Sequence, residues 1–252
     1  MPNWIKNKII VKDSEVVDEI ISSFTTFNEE YKELEFDFNK IIPMPKDLEI
    51  EFSTKSDDGL LLYLTKINGN ITYLGTKEDK LDTKEYNDII TKINEHLSNK
   101  RNLILNEEET KKILKKYHDN LEEIYEIGQK QVNNILQYDA LNWYEWRIRN
   151  WGCKWNADKL EILDGCSFSF ETPWEPPLEV IVAMSKAKPH IKIAFLYADE
   201  DIGSHVGYML LQGGKIDYKG RFKDQSSDAY ELAHDLWGDD VIKVKFPDDI
   251  CN

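Results

Sequence analysis

Between Asn142 and Ala157 the chain reads N-W-Y-E-W-R-I-R-N-W-G-C-K-W-N-A, and four of its seven tryptophans, Trp143, Trp146, Trp151 and Trp155, fall in that stretch. Tryptophan combines a very large apolar area with an N–H that wants an acceptor, so such a cluster ends in a core or at an interface. Whatever this chain folds into has to wrap that segment or display it. Gly152 just past Arg149 and Asn150 fits the C′ position of a short helix carrying Trp143 and Trp146.

Around this segment the pattern alternates between strand and helix. Trp4 to Val11 alternates and is rich in Ile, which predicts a strand. Asp13 or Ser14 caps a helix with Val16, Val17, Ile20, Ile21, Phe24 and Phe27 at helical spacing, and Leu34, Phe36 and Phe38 then alternate with acids as a second strand. Pro43 and Pro45 end that ladder. Beyond the tryptophans come strands at Lys159–Leu163 and Ser167–Thr172, and a helix opened by Pro173-Trp174-Glu175-Pro176-Pro177. A strand at His190–Tyr197 follows, then a hairpin across Gly213-Gly214, a helix at Asp228–Trp237 and a last strand at Val241–Phe246.

The middle third differs. Leu60–Leu64 is a short apolar run, and Asp82-x-x-Glu85 and Asn106-x-x-Glu109 are capping boxes that open helices. The second helix is expected to run without a break to Leu136. His118, Glu122 and Glu126 would then share one face, most simply as a solvated one. With residues 46–137 read as a mainly helical insertion, 1–45 and 138–252 leave β-α-β followed by β-α-β. That is the split pattern of a ferredoxin-like α+β domain with an antiparallel sheet, extended by the C-terminal hairpin, helix and strand. Its helices are expected on one face of the sheet.

Met1-Pro2-Asn3-Trp4, Phe38-Asn39-Lys40-Ile41-Ile42-Pro43-Met44-Pro45, Asn150-Trp151-Gly152-Cys153-Lys154-Trp155-Asn156-Ala157 and Phe170-x-Thr172-x-Trp174-x-Pro176-Pro177 occur in that order. Together the four boxes resemble the YubB-like proteins of plasmids and phages. The resemblance implies a ferredoxin-like C-terminal part and a mobile-element origin, and it implies no activity. That family usually carries a small hydroxylated residue where Cys153 stands here, which sets aside a family role at that position.

Chemistry is hard to place on these residues. The three cysteines lack C-x-x-C spacing, so no disulfide framework or zinc site is expected, and a reducing cytoplasm is the expected compartment. No serine stands in a G-x-S-x-G setting, and Gly213-Gly214 lacks the companions of a phosphate-binding loop. Asp199-Glu200-Asp201 reads as an acidic turn. No catalytic residue, metal ligand or cofactor is assigned. The candidate binding residues are Trp151, Lys154, Trp155, Trp174, Asn150 and Asn156, read as an aromatic platform with Arg149 nearby. The competing reading, which aromatic statistics favour, interlocks Trp4, Trp151, Trp155 and Trp174 as core.

A formal net charge of −15 counts against a nucleic-acid or anionic-membrane partner, and no run of the sequence suits a membrane span. The chain is therefore expected to be a non-catalytic module that binds a host or mobile-element protein. An enzyme with a scattered site and a nucleic-acid-binding ferredoxin-like domain are the alternatives, and the sequence says nothing of oligomeric state.

Overall fold

The computed structural model describes residues 2–66, Thr91, Ile93 and 107–238. The capping box at Asp82, the start of the box at Asn106, the strand expected at Val241–Phe246 and Cys251 lie outside the described residues. The chain divides into two compact units, Met1–Pro43 with Arg147–Asn252, and Met44–Trp146.

The first unit is built on one antiparallel sheet. Its strands are β1 (Trp4–Ile10), β4 (Asp158–Asp164), β5 (Ser167–Pro173), β6 (Lys192–Asp199), β7 (Gly207–Gln212) and β8 (Lys215–Arg221), in the order β4-β5-β1-β6-β7-β8. β1 lies between β5 and β6, antiparallel to both, with Asn7 opposite Phe170 and Tyr197. The path from β5 through helix α6 (Leu178–Ala187) to β6 therefore steps over β1. This is the split βαβ of a ferredoxin-like α+β fold.

Two expectations need correction. The segment ending at Phe36 does not enter this sheet. Thr25–Asn28 (β2), which directly continues helix α1 (Ser14–Phe24), pairs with Glu33–Phe36 (β3) as a separate ribbon. Phe38 sits in a 3₁₀ turn held by the Asp37 carboxylate, which accepts from Asn39 N–H. Helices also cover both faces of the sheet rather than one. β6 is buried without alternation from Ile193 to Asp199, the signature of a strand covered on both sides. Helix α7 (Ser227–Trp237) sets Ala229, Leu232, Ala233 and Leu236 against Leu196 and Ala198 on one face. Ile5, Ile9, Phe168, Phe195 and Met209 are sealed on the other, the side of α1 and α6. Those two helices are tied together where Glu19 meets Lys188 and His190.

Local signals behave as the sequence suggests. Asp13 caps α1 by accepting from Val16 N–H, and Ser226 caps α7 through Ala229 N–H. Gly213 and Gly214 take φ of +58° and +79° in the β7–β8 turn, as a tight hairpin of that hand requires.

The second unit is helical where it is described: α2 (Thr54–Lys66), α3 (Glu107–Leu114) and α4 (Leu121–Tyr138), with α5 (Trp143–Asn150) starting at its end. Leu60–Leu64 thus belongs to a helix. α2 lies along α4 through Leu60, Tyr63, Val132 and Ile135, and the Tyr63 and Tyr125 rings are 5.0 Å apart. The helix expected to be continuous breaks before Leu121, because Asn120 turns its side chain to accept from Glu122 and Glu123 N–H and starts a new helix. His118 therefore leaves the face of Glu122 and Glu126, and bonds the buried Asp58 carboxylate at 2.8 Å. No described helix is long and apolar enough to cross a membrane.

Candidate functional site, a tryptophan-lined sheet end

The tryptophan-rich segment is not one cluster. Trp151 follows α5 and is fully buried, its ring edge-on to Phe38 at 5.6 Å and its Nε1–H donating to Ile42 O at 2.9 Å. The Arg147 guanidinium lies 4.7 Å above the same ring. Asn156 is spent nearby, its Oδ1 accepting from Phe38 N–H at 2.8 Å. These two bonds join the Asn150–Ala157 box to the Phe38–Pro45 box. Gly152 makes the turn between them possible. It sits at φ +83°, and a side chain there would meet Pro176 O at 3.3 Å. Asn150 ends α5, half-buried.

Cys153 is buried, and burial pushes its thiol up to about 12. With Sγ donating to Trp155 O it is a packing residue and a poor nucleophile. Asn156 is a half-buried link between the two boxes, and Trp151 and Cys153 are core.

Trp155 and Trp174 are not, which corrects the expectation that they interlock with Trp151. Trp155 is 38% exposed and pairs with Trp4 at 6.4 Å between ring centroids. Lys154 Nζ lies 4.5 Å from the Trp155 ring, and Lys159 Nζ lies 6.0 Å from the Trp4 ring. Trp174 is 52% exposed. It follows Pro173, the residue opposite Trp4, and its backbone N–H donates to Asn3 O.

Its φ of +69° is a conformation that a bulky non-glycine residue avoids, so the fold holds this indole outward against a local cost. Across β1, Glu200 N–H donates to Trp4 O and Asn3 donates to Asp199 Oδ1. The entry of β1 therefore draws the ends of β5 and β6 together. Asp199 is spent inside this acidic turn, since it also accepts from Asp201 N–H.

The indole N–H groups sort the tryptophans in the same way. Those of Trp151 and Trp237 donate to backbone carbonyls. Those of Trp4, Trp155 and Trp174 have no acceptor among the described residues. Chemically this sheet end can stack, pack and donate hydrogen bonds. It holds no nucleophile–base pair. Among the described residues no group of His, Cys, Asp and Glu is placed to hold a metal ion.

Beside the rim, the largely covered Lys6 side chain reaches Glu161 at 2.9 Å and Glu171 at 3.6 Å, and Lys159 bonds Glu171 at 2.8 Å. The Lys6 ammonium holds the Glu161 carboxyl below its ordinary value of 4.5. A carboxyl depressed on folding stabilises the fold above its ordinary value and loses that contribution as pH falls through its folded value. Chemical denaturation of the parent and Glu161→Gln should therefore differ at pH 6, and the difference should shrink as pH is lowered below 4.5.

Nothing local in the sequence sets apart the neighbouring Glu175 and Tyr197, and His205 follows the acidic turn without ligating it. His205 at φ +48° brings its Nε2 to 3.3 Å from Glu175 Oε2 and its ring edge-on to Tyr197.

Residues 150–238 match the profile of a family described as "Ferredoxin-like domain in Api92-like protein". A solved structure, a protein api92 from Yersinia pseudotuberculosis, matches at 14% identity and a TM-score of 0.38, over 88% of this chain and 99% of that one. No protein of curated description matches. The stretch that supplies Trp151, Trp155 and Trp174 is thus similar to the ferredoxin-like domain found in Api92-like proteins.

Proposed function

We propose that this protein is a non-catalytic binding module, an accessory protein of a mobile genetic element that works in the cytoplasm by contact with a host or element protein. The contact surface is the sheet end carrying Trp155, Trp4 and Trp174, with Lys154 at its edge. One observation carries the reading: three tryptophans keep their indole N–H groups unbonded at the surface, while Trp151 and Trp237 bond theirs inside. Exposed aromatic area with a free donor is what the energetic centres of protein interfaces are made of. The resemblance to plasmid and phage proteins supports the mobile-element setting, and the charge of −15 supports a partner other than nucleic acid.

The experiment is affinity capture from a host lysate with the parent and a Trp155→Ala/Trp174→Ala variant. The variant should melt within a few degrees of the parent, because both rings are already partly in water, and should lose the captured partner. Capture by the parent through these apolar rings should change little between low salt and about 0.5 M, whereas steep weakening would mark the acidic surface of this chain as the contact instead. Equal capture by both proteins would refute the surface. Recovery of single-stranded nucleic acid would instead favour a stacking platform built on Trp155 and Lys154.

A further inference from the structure

Thr25 and Phe36 stand opposite each other where the β2–β3 ribbon leaves the core, and both are buried. Phe36 sets its ring 5.6 Å from Phe168, and Ile162 on the edge strand β4 is the residue opposite Phe168. Strand side chains repeat a face every second residue, so the same face of the ribbon next carries the opposite pair Phe27 and Leu34. Phe27 is 50% exposed, Leu34 44% and Ile162 56%. The apolar face sealed at Phe36 and Phe168 thus runs on into water, outward along the ribbon and onto β4, which β3 lies beside. Apolar side chains gathered in water within a polar border mark an interaction surface.

The ribbon is tied down by polar bonds rather than by these side chains. Thr26 donates to Asp37 Oδ2, Asn28 bonds the Glu35 carboxylate, and Lys40 Nζ donates to Thr25 O. Asn28 Oδ1 also accepts from the N–H groups of Glu30 and Tyr31, which closes the tip. Two strands alone are marginal in water, so these ties and the burial of Thr25 and Phe36 are what keep the ribbon formed. Phe27 and Leu34 are left to contact something else.

The border of the patch says what that is. From Thr25 to Phe36 the ribbon carries Glu29, Glu30, Glu33 and Glu35 against the single cation Lys32. Glu29, Glu30 and Glu33 enter no ion pair among the described residues. A second copy of this chain would bring the same glutamates against them and is repelled. We propose that the face carrying Phe27, Leu34 and Ile162 docks a cationic amphipathic segment of a partner protein, its apolar side chains on the patch and its Lys or Arg against Glu29, Glu30 and Glu33. An apolar centre within a charged rim is how protein interfaces are built, and the net charge of −15 steers a cation toward it. This is a second surface, beyond the tryptophan rim, and it stands or falls separately.

The test is fluorescence anisotropy of a labelled synthetic peptide of alternating Leu and Lys, titrated with the full chain. The parent should bind it saturably, should ignore a peptide of alternating Leu and Glu, and should bind a Ser–Lys peptide about 10-fold more weakly. Phe27→Ser/Leu34→Ser should weaken binding of the Leu–Lys peptide about 10- to 100-fold, the range for truncating the centre of an interface. Glu29→Gln/Glu30→Gln/Glu33→Gln keeps the apolar pair and the ribbon's hydrogen bonds, and should weaken it about 10-fold. Binding by the parent should also fall steeply toward about 0.5 M salt, where charges are screened. Trp155→Ala/Trp174→Ala should bind the peptide like the parent. Absence of saturable binding, equal binding of the Leu–Glu peptide, or parent-like binding by both ribbon variants would overturn the assignment. So would loss of the peptide in the tryptophan variant alone.

Discussion

Trp151→Ala is expected to cost about 3–5 kcal/mol, the range for removing a large buried aromatic ring. In a domain of this size that lowers the melting temperature by about 10 °C. The loss has three parts in the structure: the ring against Phe38, the hydrogen bond to Ile42 O, and the guanidinium of Arg147 above the indole. Trp151→Phe should restore most of the packing while leaving the Ile42 carbonyl unpaired, at about 1–2 kcal/mol. Thermal unfolding followed by near-ultraviolet circular dichroism reads both. A Trp151→Ala protein that melts like the parent would mean that the Asn150–Ala157 and Phe38–Pro45 boxes are not joined as described.

Gly128→Ala should be the second large effect, in the helical unit and opposite in sign to helix propensity. In an exposed helix the change stabilises by roughly 1 kcal/mol. Here the added methyl would stand 2.0 Å from Gly59 O, 2.4 Å from its carbonyl carbon and 2.9 Å from Leu60 N, all of them backbone. No rotamer relieves that overlap, so α2 and α4 must part and expose Leu60, Tyr63, Val132 and Ile135. A cost of about 3 kcal/mol is expected, at the upper end of overpacking. Amide hydrogen exchange over residues 54–66 and 121–138 would show it as lost protection. Unchanged protection would contradict the close crossing.

The sequence showed most where the physics is local. Asp13 before an apolar stripe, Ser226 before another and Gly213-Gly214 between alternating runs each act within a few residues, and each does in the structure what it does in peptides. It failed where a local signal competes with another or where partners are distant. Asn120 outweighs a helical stripe that continues on both sides of it. Thr25–Asn28 is β-structure because Glu33–Phe36 pairs with it, which no period in four residues shows.

The candidate site follows the same division. Trp151 and Trp155 stand four apart in one box, yet Phe38 and Ile42 seal the first while Trp4 and the Lys154 ammonium flank the half-open second. Trp174, after a proline in an apolar context, reads as core. Its outward indole depends on a left-handed backbone that the letters do not announce.

The most direct test is oxidative footprinting of the tryptophans, read by mass spectrometry on the free protein and on its complex with a captured partner. In the free chain Trp155 and Trp174 should oxidise readily and Trp151 should resist. In the complex Trp155 and Trp174 should become protected while the helical residues 107–138 keep their reactivity. Protection confined to those helices, with Trp155 and Trp174 as reactive as before, would contradict the account.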